Sequence, residues 1–208
     1  MCIIAVSRQG VKQPTLEQLR RMYNRNPDGA GYMFARGGKV YIHKGFMTFE
    51  DFSRNIKQEH FTKADPVVYH FRISTQAGVS PEMTHPFPLT PYIEDCEYLD
   101  CSCDIGVAHN GIIRMTSCAN NRYSDTALFV TRYMSKLIRD RADISDSAIK
   151  IMIDQLTNSK WAIMDGITGA IATVGDFYDE DGLLFSNSGY RPPRKSVLTT
   201  IGEYMITE

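Results

Sequence analysis

The chain has 208 residues, of which 43% are hydrophobic and 23% are charged, a balance that excludes a disordered or collagen-like chain. Lys and Arg total 23 and Asp and Glu total 24, so the net charge is −1, and without a basic footprint we expect no nucleic acid among the partners. No apolar run approaches the roughly 18 residues that cross a bilayer, and residues 2–6 lack the basic leader of a signal peptide, so we expect no membrane association.

Short apolar segments separated by turn signals fill the first part of the chain. The capping-box pair Thr15 and Gln18 predicts the start of a helix, and Gly37-Gly38 between two alternating runs predicts a hairpin. The elements predicted here are, in chain order, a strand over residues 2–7, a helix from Thr15 to about Asn24, a hairpin of residues 31–35 and 39–44, a helix after Thr48 and a strand over residues 67–73.

The second part begins with a hairpin signal, since residues 105–109 and 112–115 bracket Asn110-Gly111. Further on we predict a long helix from Ser124 to about Ile138, a helix over residues 143–156 with Ile149, Ile153 and Leu156 as its core stripe, and strands over residues 161–164, 170–174 and 183–185. This order argues against a regular βαβ sheet and favours an α+β fold with layered antiparallel sheets. No linker divides the chain, so we expect a single domain.

Cysteine usage indicates the compartment. The five cysteines are Cys2, Cys96, Cys101, Cys103 and Cys118. An odd number, without a secretory leader or an Asn-x-Ser/Thr sequon, favours free thiols and a cytoplasmic protein. The spacing does not match that of zinc ligands, so we favour a solvent-facing loop with incidental thiols over the alternative, a structural metal held by the last four cysteines.

Cys2 is the most unusual chemical feature. The sequence contains no phosphate-binding P-loop, no dinucleotide-binding glycine pattern, no H-E-x-x-H and no G-x-S-x-G motif. Removal of Met1, which is normal before a small residue, would place a thiol and a free α-amine on Cys2. An amine with a pKa of about 7.7–8.0 can act as a base for a thiol with a pKa of about 8.5. Alternatively, Cys2 is a buried small residue that begins a strand.

Motifs elsewhere favour the catalytic interpretation. In chain order these are Met1-Cys2, His70-Phe71-Arg72-Ile73-Ser74-Thr75, His109-Asn110-Gly111 and Ser124-Asp125-Thr126. Together they resemble the class II glutamine amidotransferases, whose glutaminase domains use an N-terminal cysteine nucleophile. Phe185-Ser186-Asn187 is also similar to small standalone members of that group. The resemblance implies one glutaminase-type domain over residues 1–208, folded as an αββα Ntn-hydrolase sandwich, with no cofactor.

The resemblance also implies roles for individual residues. Cys2 would attack the side-chain amide of glutamine, and the amide of Asn110 with the backbone N–H of Gly111 would stabilise the oxyanion. By their residue types alone, Asn110-Gly111 also fit a type I′ hairpin turn.

Substrate recognition would involve Arg72, Thr75, His85 and Asp125. Arg72 would bind the α-carboxylate through a bidentate pair, and Asp125 would bind the α-ammonium, with Thr75 and His85 lining the pocket. The alternatives are a surface ion pair for Arg72 and a helix-start residue for Asp125. The sequence departs from the family pattern in having Ile73 after Arg72 and one extra residue before Gly78.

The resemblance thus implies hydrolysis of glutamine to glutamate and ammonia. The residues after Asp125 are expected to complete the sandwich, so the ammonia would pass to a separate acceptor or synthase partner, or the enzyme would act alone. Two other functions stay open: hydrolysis of another γ-glutamyl amide by the same cysteine, and a catalytically silent Ntn-fold binding or regulatory protein.

Overall fold

Two antiparallel sheets make up the centre of the protein. The computed structural model describes residues 1–74, 78–114 and 122–192. The strands are β1 (Ile3–Ser7), β2 (Ala30–Arg36), β3 (Lys39–Phe46), β4 (Val67–Phe71), β5 (Phe87–Pro88), β6 (Asp100–Cys103), β7 (Ile105–Asn110), β8 (Lys160–Asp165), β9 (Ile171–Val174), β10 (Tyr178–Glu180) and β11 (Leu183–Phe185). The larger, seven-stranded sheet has the order β10-β11-β1-β4-β2-β3-β6, and the four-stranded sheet has the order β5-β7-β8-β9.

Helices cover the outer face of each sheet. They are α1 (Leu16–Arg25), α2 (Phe49–Glu59), α3 (Asp125–Phe129), α4 (Ser135–Leu137), α5 (Ala142–Ser145) and α6 (Ser147–Thr157). The predicted capping box begins α1, because the Thr15 hydroxyl accepts from the Gln18 N–H while the Gln18 side chain accepts from the Thr15 N–H. A π-helical turn, Val130–Met134, joins α3 to α4.

The core is divided into layers. One apolar cluster joins α1 and α2 to the larger sheet, and includes Met22, Phe52 and Phe71. A second cluster lies between the sheets, where Ile4 and other residues of the larger sheet meet Ala162 and its neighbours from the smaller one. A third cluster packs the later helices on the outer face of the smaller sheet. The predicted αββα sandwich is therefore confirmed.

Several local predictions were wrong. Asn110 is the last residue of β7, which pairs with β5 and β8, so Asn110-Gly111 is not a hairpin turn and no strand follows it within the described residues up to 114. The helix predicted over residues 143–156 is two helices, because Asp146 ends α5 and caps α6. Leu156, predicted in the core, is 42% exposed.

The cysteine-rich loop was also predicted incorrectly. Cys101 and Cys103 lie in β6, which pairs with β3, and Cys96 is fully buried. Cys118 lies outside the described residues. The short strands β5, β6 and β10 have no alternating apolar pattern long enough to be recognised in the sequence.

Gly166 follows β8 of the smaller sheet and packs closely against β3 of the larger sheet. A Cβ at this position would be 2.7 Å from the backbone of Lys39 and Val40 in β3, and a backbone cannot move aside as a flexible side chain can. We therefore expect Gly166→Ala to lower the free energy of unfolding by about 1–3 kcal/mol, measured by urea denaturation. Gly78→Ala is the control, because its methyl meets nothing within 4 Å among the described residues; equal stability of both variants would contradict this packing argument.

Candidate active site

Cys2 immediately precedes β1 and lies next to the C-terminal end of β4. The ladder pairs Ile3 with Phe71, which brings Cys2 beside Arg72. The Cys2 sulfur is 3.5 Å from the backbone nitrogen of Ile73, which donates to it, and 3.6 Å from the Ile73 carbonyl oxygen. The Asn187 side chain donates to the Cys2 carbonyl at 2.7 Å. Both the sulfur and the backbone of Cys2 are therefore held in place.

The environment of Cys2 disfavours a spontaneous thiolate. Burial raises the pKa of the Cys2 thiol, while the Ile73 N–H and the charge of Arg72 act in the opposite direction. A thiol with a raised pKa is a weak nucleophile at neutral pH until a base removes its proton.

Arg72 is buried, with 6% of its surface exposed. Its Nη2 lies 3.4 Å from both the Ser74 hydroxyl and the Gly78 carbonyl oxygen. Within the described part of the chain, its Nη1 is buried and has no acceptor. Burial lowers the pKa of Arg72, whereas Cys2 in its ionised form and the carboxylates of Asp28 and Asp125 act in the opposite direction. The alternative of a surface ion pair is therefore wrong.

Asp28 supports this part of the site and was not predicted from the sequence. Its Oδ2 accepts from the Ser74 N–H at 2.8 Å, and its own N–H donates to the Arg72 carbonyl at 3.0 Å. The adjacent Gly29 carbonyl accepts from the Arg72 N–H at 2.8 Å. The sequence of residues 26–29, Asn-Pro-Asp-Gly, has the composition of a turn, and this turn holds the backbone of Arg72 and of Ser74 in place.

Asn110 approaches β1 from the smaller sheet. It is 3% exposed, and its Nδ2 lies 2.9 Å from the Ser186 hydroxyl oxygen. The same hydroxyl oxygen accepts from the Ile4 N–H at 2.8 Å. Ser186 therefore links Asn110 to the strand that carries Cys2. No role for Ser186 was predicted; its only signal was the resemblance of Phe185-Ser186-Asn187 to standalone relatives.

Gly111 follows Asn110 in a crowded position. A Cβ there would lie 2.6 Å from the Ser159 Cβ and 3.0 Å from the His109 Nε2, so only glycine fits without displacing its neighbours. Its backbone does not have a positive φ, and the type I′ turn is therefore wrong. The requirement for glycine comes from close packing instead.

His85 is one of three buried histidines near Asn110. The other two are His70 and His109, the residue before Asn110. His70 Nε2 and His85 Nδ1 both donate to the His109 carbonyl, at 3.0 and 3.1 Å, and the rings of His70 and His85 are 4.3 Å apart. Burial lowers the pKa of His70 and of His109 to about 3, and it lowers the pKa of His85 well below its ordinary value. All three are neutral at physiological pH.

Asp125 is the first residue of α3, where Ser124 is the N-cap. Its Oδ2 accepts from the Ile113 N–H at 2.7 Å, and its Oδ1 accepts from the Thr126 N–H at 2.8 Å. Asp125 therefore accepts a hydrogen bond from the first turn of α3, as an acidic residue at a helix start often does. It also joins this helix to the segment after Gly111. Thr75, the remaining predicted pocket residue, lies outside the described residues.

Cys2 and Arg72 are thus adjacent, and Asn110 is joined to their strand through Ser186. Among residues 1–74, 78–114 and 122–192, no three His, Cys, Asp or Glu side chains are grouped so that they could hold a metal ion. Over the same ranges, none of the helices has the length and apolar character to cross a membrane.

Comparison with solved structures identifies similar folds. The structure of glutamine phosphoribosylpyrophosphate (PRPP) amidotransferase from B. subtilis, complexed with ADP and GMP, matches with a TM-score of 0.50 and 16% identity over 89% of this chain and 41% of that one. A structure described as the allosteric regulatory enzyme of purine biosynthesis matches with a TM-score of 0.47 and 18% identity, over 83% of this chain and 35% of that one.

The likeness to the first structure supports one shared fold, the αββα sandwich of the Ntn-hydrolase type. This chain spans about two fifths of the length of that structure. No protein-family model matches the chain, and no curated protein matches it.

The buried histidines make folding sensitive to acid. His70 is neutral in the native state down to a pH of about 3, whereas in the unfolded chain it binds a proton near its ordinary pKa of 6.5. Its stabilising contribution is therefore complete above pH 6.5 and is lost as the pH falls toward 3. We expect His70→Gln, which keeps an N–H donor, to reduce the fall in unfolding free energy between pH 6 and 4 by up to about 1.4 kcal/mol per pH unit.

Urea denaturation at pH 4, 5, 6 and 7 measures this difference. His60→Gln is the matched control, because His60 lies on the surface at the end of α2. A pH dependence for His70→Gln as steep as that of the unaltered protein would contradict the assignment of a neutral buried histidine.

Proposed function

We propose that this protein is a class II amidotransferase-type glutaminase that hydrolyses the side-chain amide of glutamine. The observation that carries the proposal is the buried guanidinium of Arg72, with an unpartnered Nη1, beside the Cys2 thiol. The Ntn-hydrolase fold supports it, because the matching structure is an amidotransferase that bears glutamine in its name.

The buried positive charge of Arg72 favours binding of an anionic ligand. Burying a guanidinium is costly unless its N–H groups are paired, and an arginine remains protonated in proteins. A ligand carboxylate would accept from two parallel N–H groups of the fork. The α-carboxylate of glutamine meets this requirement and would place the rest of the molecule next to the Cys2 sulfur.

The proposed reaction begins after Met1 has been removed. The α-amine of Cys2 takes the thiol proton, and the sulfur attacks the amide carbon to form an S–C bond and a tetrahedral oxyanion. The side-chain amide of Asn110 and the N–H of Gly111 would stabilise this charge. The α-ammonium returns its proton to the leaving nitrogen, the C–N bond breaks and ammonia departs. Water then attacks the thioester, gives its proton to the thiolate and releases glutamate.

The α-amine is the best candidate for the base. The three buried histidines have pKa values lowered by burial, and, in the part of the chain that the structure describes, none of them forms a hydrogen bond with Cys2. An amine with a pKa near 8 on the same residue as the sulfur is suitably placed and suitably basic.

The remaining contacts complete the proposal. Asp125 would bind the α-ammonium through its carboxylate, and Thr75 and His85 would form the pocket wall. We propose a single domain that passes its ammonia to a separate synthase. We also propose a reducing cytoplasm as its location, since Cys2 and the other described cysteines are free thiols.

Cys2→Ala tests the nucleophile directly. We expect glutamate release from glutamine to fall to background, because alanine cannot form the thioester, while the thermal midpoint stays within a few degrees of the original. Enzymatic detection of glutamate and intact-mass measurement of the active protein check this, and the mass should show that Met1 is absent.

Cys101→Ala, in β6 of the same sheet, is the control and should keep full turnover. Full activity in Cys2→Ala, or activity in protein that retains Met1, would contradict the mechanism. Turnover of other γ-glutamyl amides without turnover of glutamine would assign the site to that substrate class instead.

Arg72→Lys tests carboxylate recognition. Lysine keeps the charge but cannot donate two parallel N–H groups, so we expect KM for glutamine to rise about 10- to 100-fold, the equivalent of about 1.5–3 kcal/mol for a charged hydrogen bond. Steady-state kinetics measure the change, with Arg54→Lys on the exposed surface of α2 as the control. An unchanged KM would exclude Arg72 from this role.

A further inference from the structure

Ser186 is fully buried, and its N–H, its carbonyl oxygen and its hydroxyl oxygen each take part in hydrogen bonds. Its N–H donates to the Ile4 carbonyl at 2.9 Å, and its carbonyl accepts from the Lys160 ammonium at 2.7 Å. Its hydroxyl oxygen accepts a hydrogen bond from the Ile4 N–H at 2.8 Å and lies 2.9 Å from Asn110 Nδ2. The backbone of Ser186 is therefore fixed, and so is the position of its hydroxyl.

The contact between Ser186 and Asn110 leaves two groups unsatisfied. When Nδ2 faces the hydroxyl, the serine oxygen receives two N–H donors. In the described part of the chain, Asn110 Oδ1 is then buried without a donor, and no acceptor faces the serine hydroxyl proton. An unused proton and an unused acceptor thus belong to neighbouring side chains.

Rotation of the Asn110 carboxamide by 180° gives both of these groups a partner, and within the described residues it leaves the NH₂ group as the one without an acceptor. The two ends of a carboxamide differ little in shape, so the hydrogen-bond partners decide its orientation. After rotation, the Ser186 hydroxyl donates to Oδ1 and still accepts from the Ile4 N–H. The NH₂ group of Asn110 then occupies the side of the amide where Oδ1 was unpartnered.

We propose that Ser186 is a positioning residue that holds the Asn110 carboxamide by its oxygen and so turns its NH₂ group toward the developing oxyanion. This inference rests on the proposed function and deepens it, because only a donor at that place stabilises the negative charge. With the opposite orientation, a carbonyl oxygen would face the oxyanion and repel it.

Kinetics of Ser186→Ala test this role. Without the hydroxyl, nothing selects the productive orientation of Asn110, so we expect kcat for glutamine hydrolysis to fall about 10- to 100-fold with KM nearly unchanged. This is less than the roughly 10²–10³-fold loss typical of removing an oxyanion donor altogether. Ser186→Thr, which keeps the hydroxyl, should recover most of kcat.

A double-mutant cycle separates positioning from a structural effect. Ser186→Ala should cost little further activity in an Asn110→Ala background, because the group that it orients is already gone. Ser7→Ala is the matched control: Ser7 is also fully buried in the larger sheet, where its hydroxyl donates to the Val11 and Lys12 carbonyls. It should retain the original kcat. Fully multiplicative losses for Ser186→Ala and Asn110→Ala would overturn the proposal.

Neutron diffraction from deuterium-exchanged crystals gives a readout that does not need turnover. A deuteron between Ser186 Oγ and Asn110 Oδ1 is the expected result, and two deuterons on the Asn110 atom facing Ser186 would overturn the inference. If the unaltered protein released no glutamate, the proposed function would fail, while the neutron result would still decide the orientation of the amide.

Discussion

The site depends on the hydrogen bonding of β1 along both of its edges. Because β4 and β11 are both antiparallel to β1, the segments that leave these two strands emerge beside the residue that precedes β1. Arg72 and Ile73 follow β4, Ser186 follows β11, and Cys2 lies between them. The same two ladders that stabilise the sheet therefore bring together the sulfur, the guanidinium and the serine that contacts Asn110. A shift in either register would separate these groups.

Buried side-chain atoms that lack a hydrogen-bond partner are concentrated at the candidate site. Within the described residues, the buried side-chain atoms without a partner are His70 Nδ1, Arg72 Nη1, His109 Nε2 and Asn110 Oδ1. They belong to the ends of β4 and β7, which face one another across the sandwich. Buried polar groups normally find partners, so their concentration here is typical of a region shaped for ligand binding. The apolar layers on either side provide the stability that such a region lacks.

The sequence allowed the fold class, the capped first helix and most long strands to be predicted, because alternation and capping are local patterns. The resemblance selected Cys2, Arg72 and Asn110, and the structure brings these close together without testing their roles. Local patterns could not reveal Ser186 or Asp28, since each acts through a partner distant in the sequence. The turn assigned to Asn110-Gly111 was wrong because β7 pairs with distant strands, and close packing against Ser159 explains the glycine.

The contact between the two ends of the described chain has a kinetic consequence. Ile4 and Ser186 are 182 positions apart in the sequence, and Cys2 and Asn187 are 185 positions apart. Forming either contact therefore closes a loop of more than 180 residues. Such contacts carry a large entropic cost and are gained only with cooperative folding. If β11 detached from β1, Cys2, which we propose as the nucleophile, would lose the hydrogen bond from Asn187 to its carbonyl. The proposed activity therefore requires that this edge of the sheet stay paired, even though local opening of an edge can precede global unfolding.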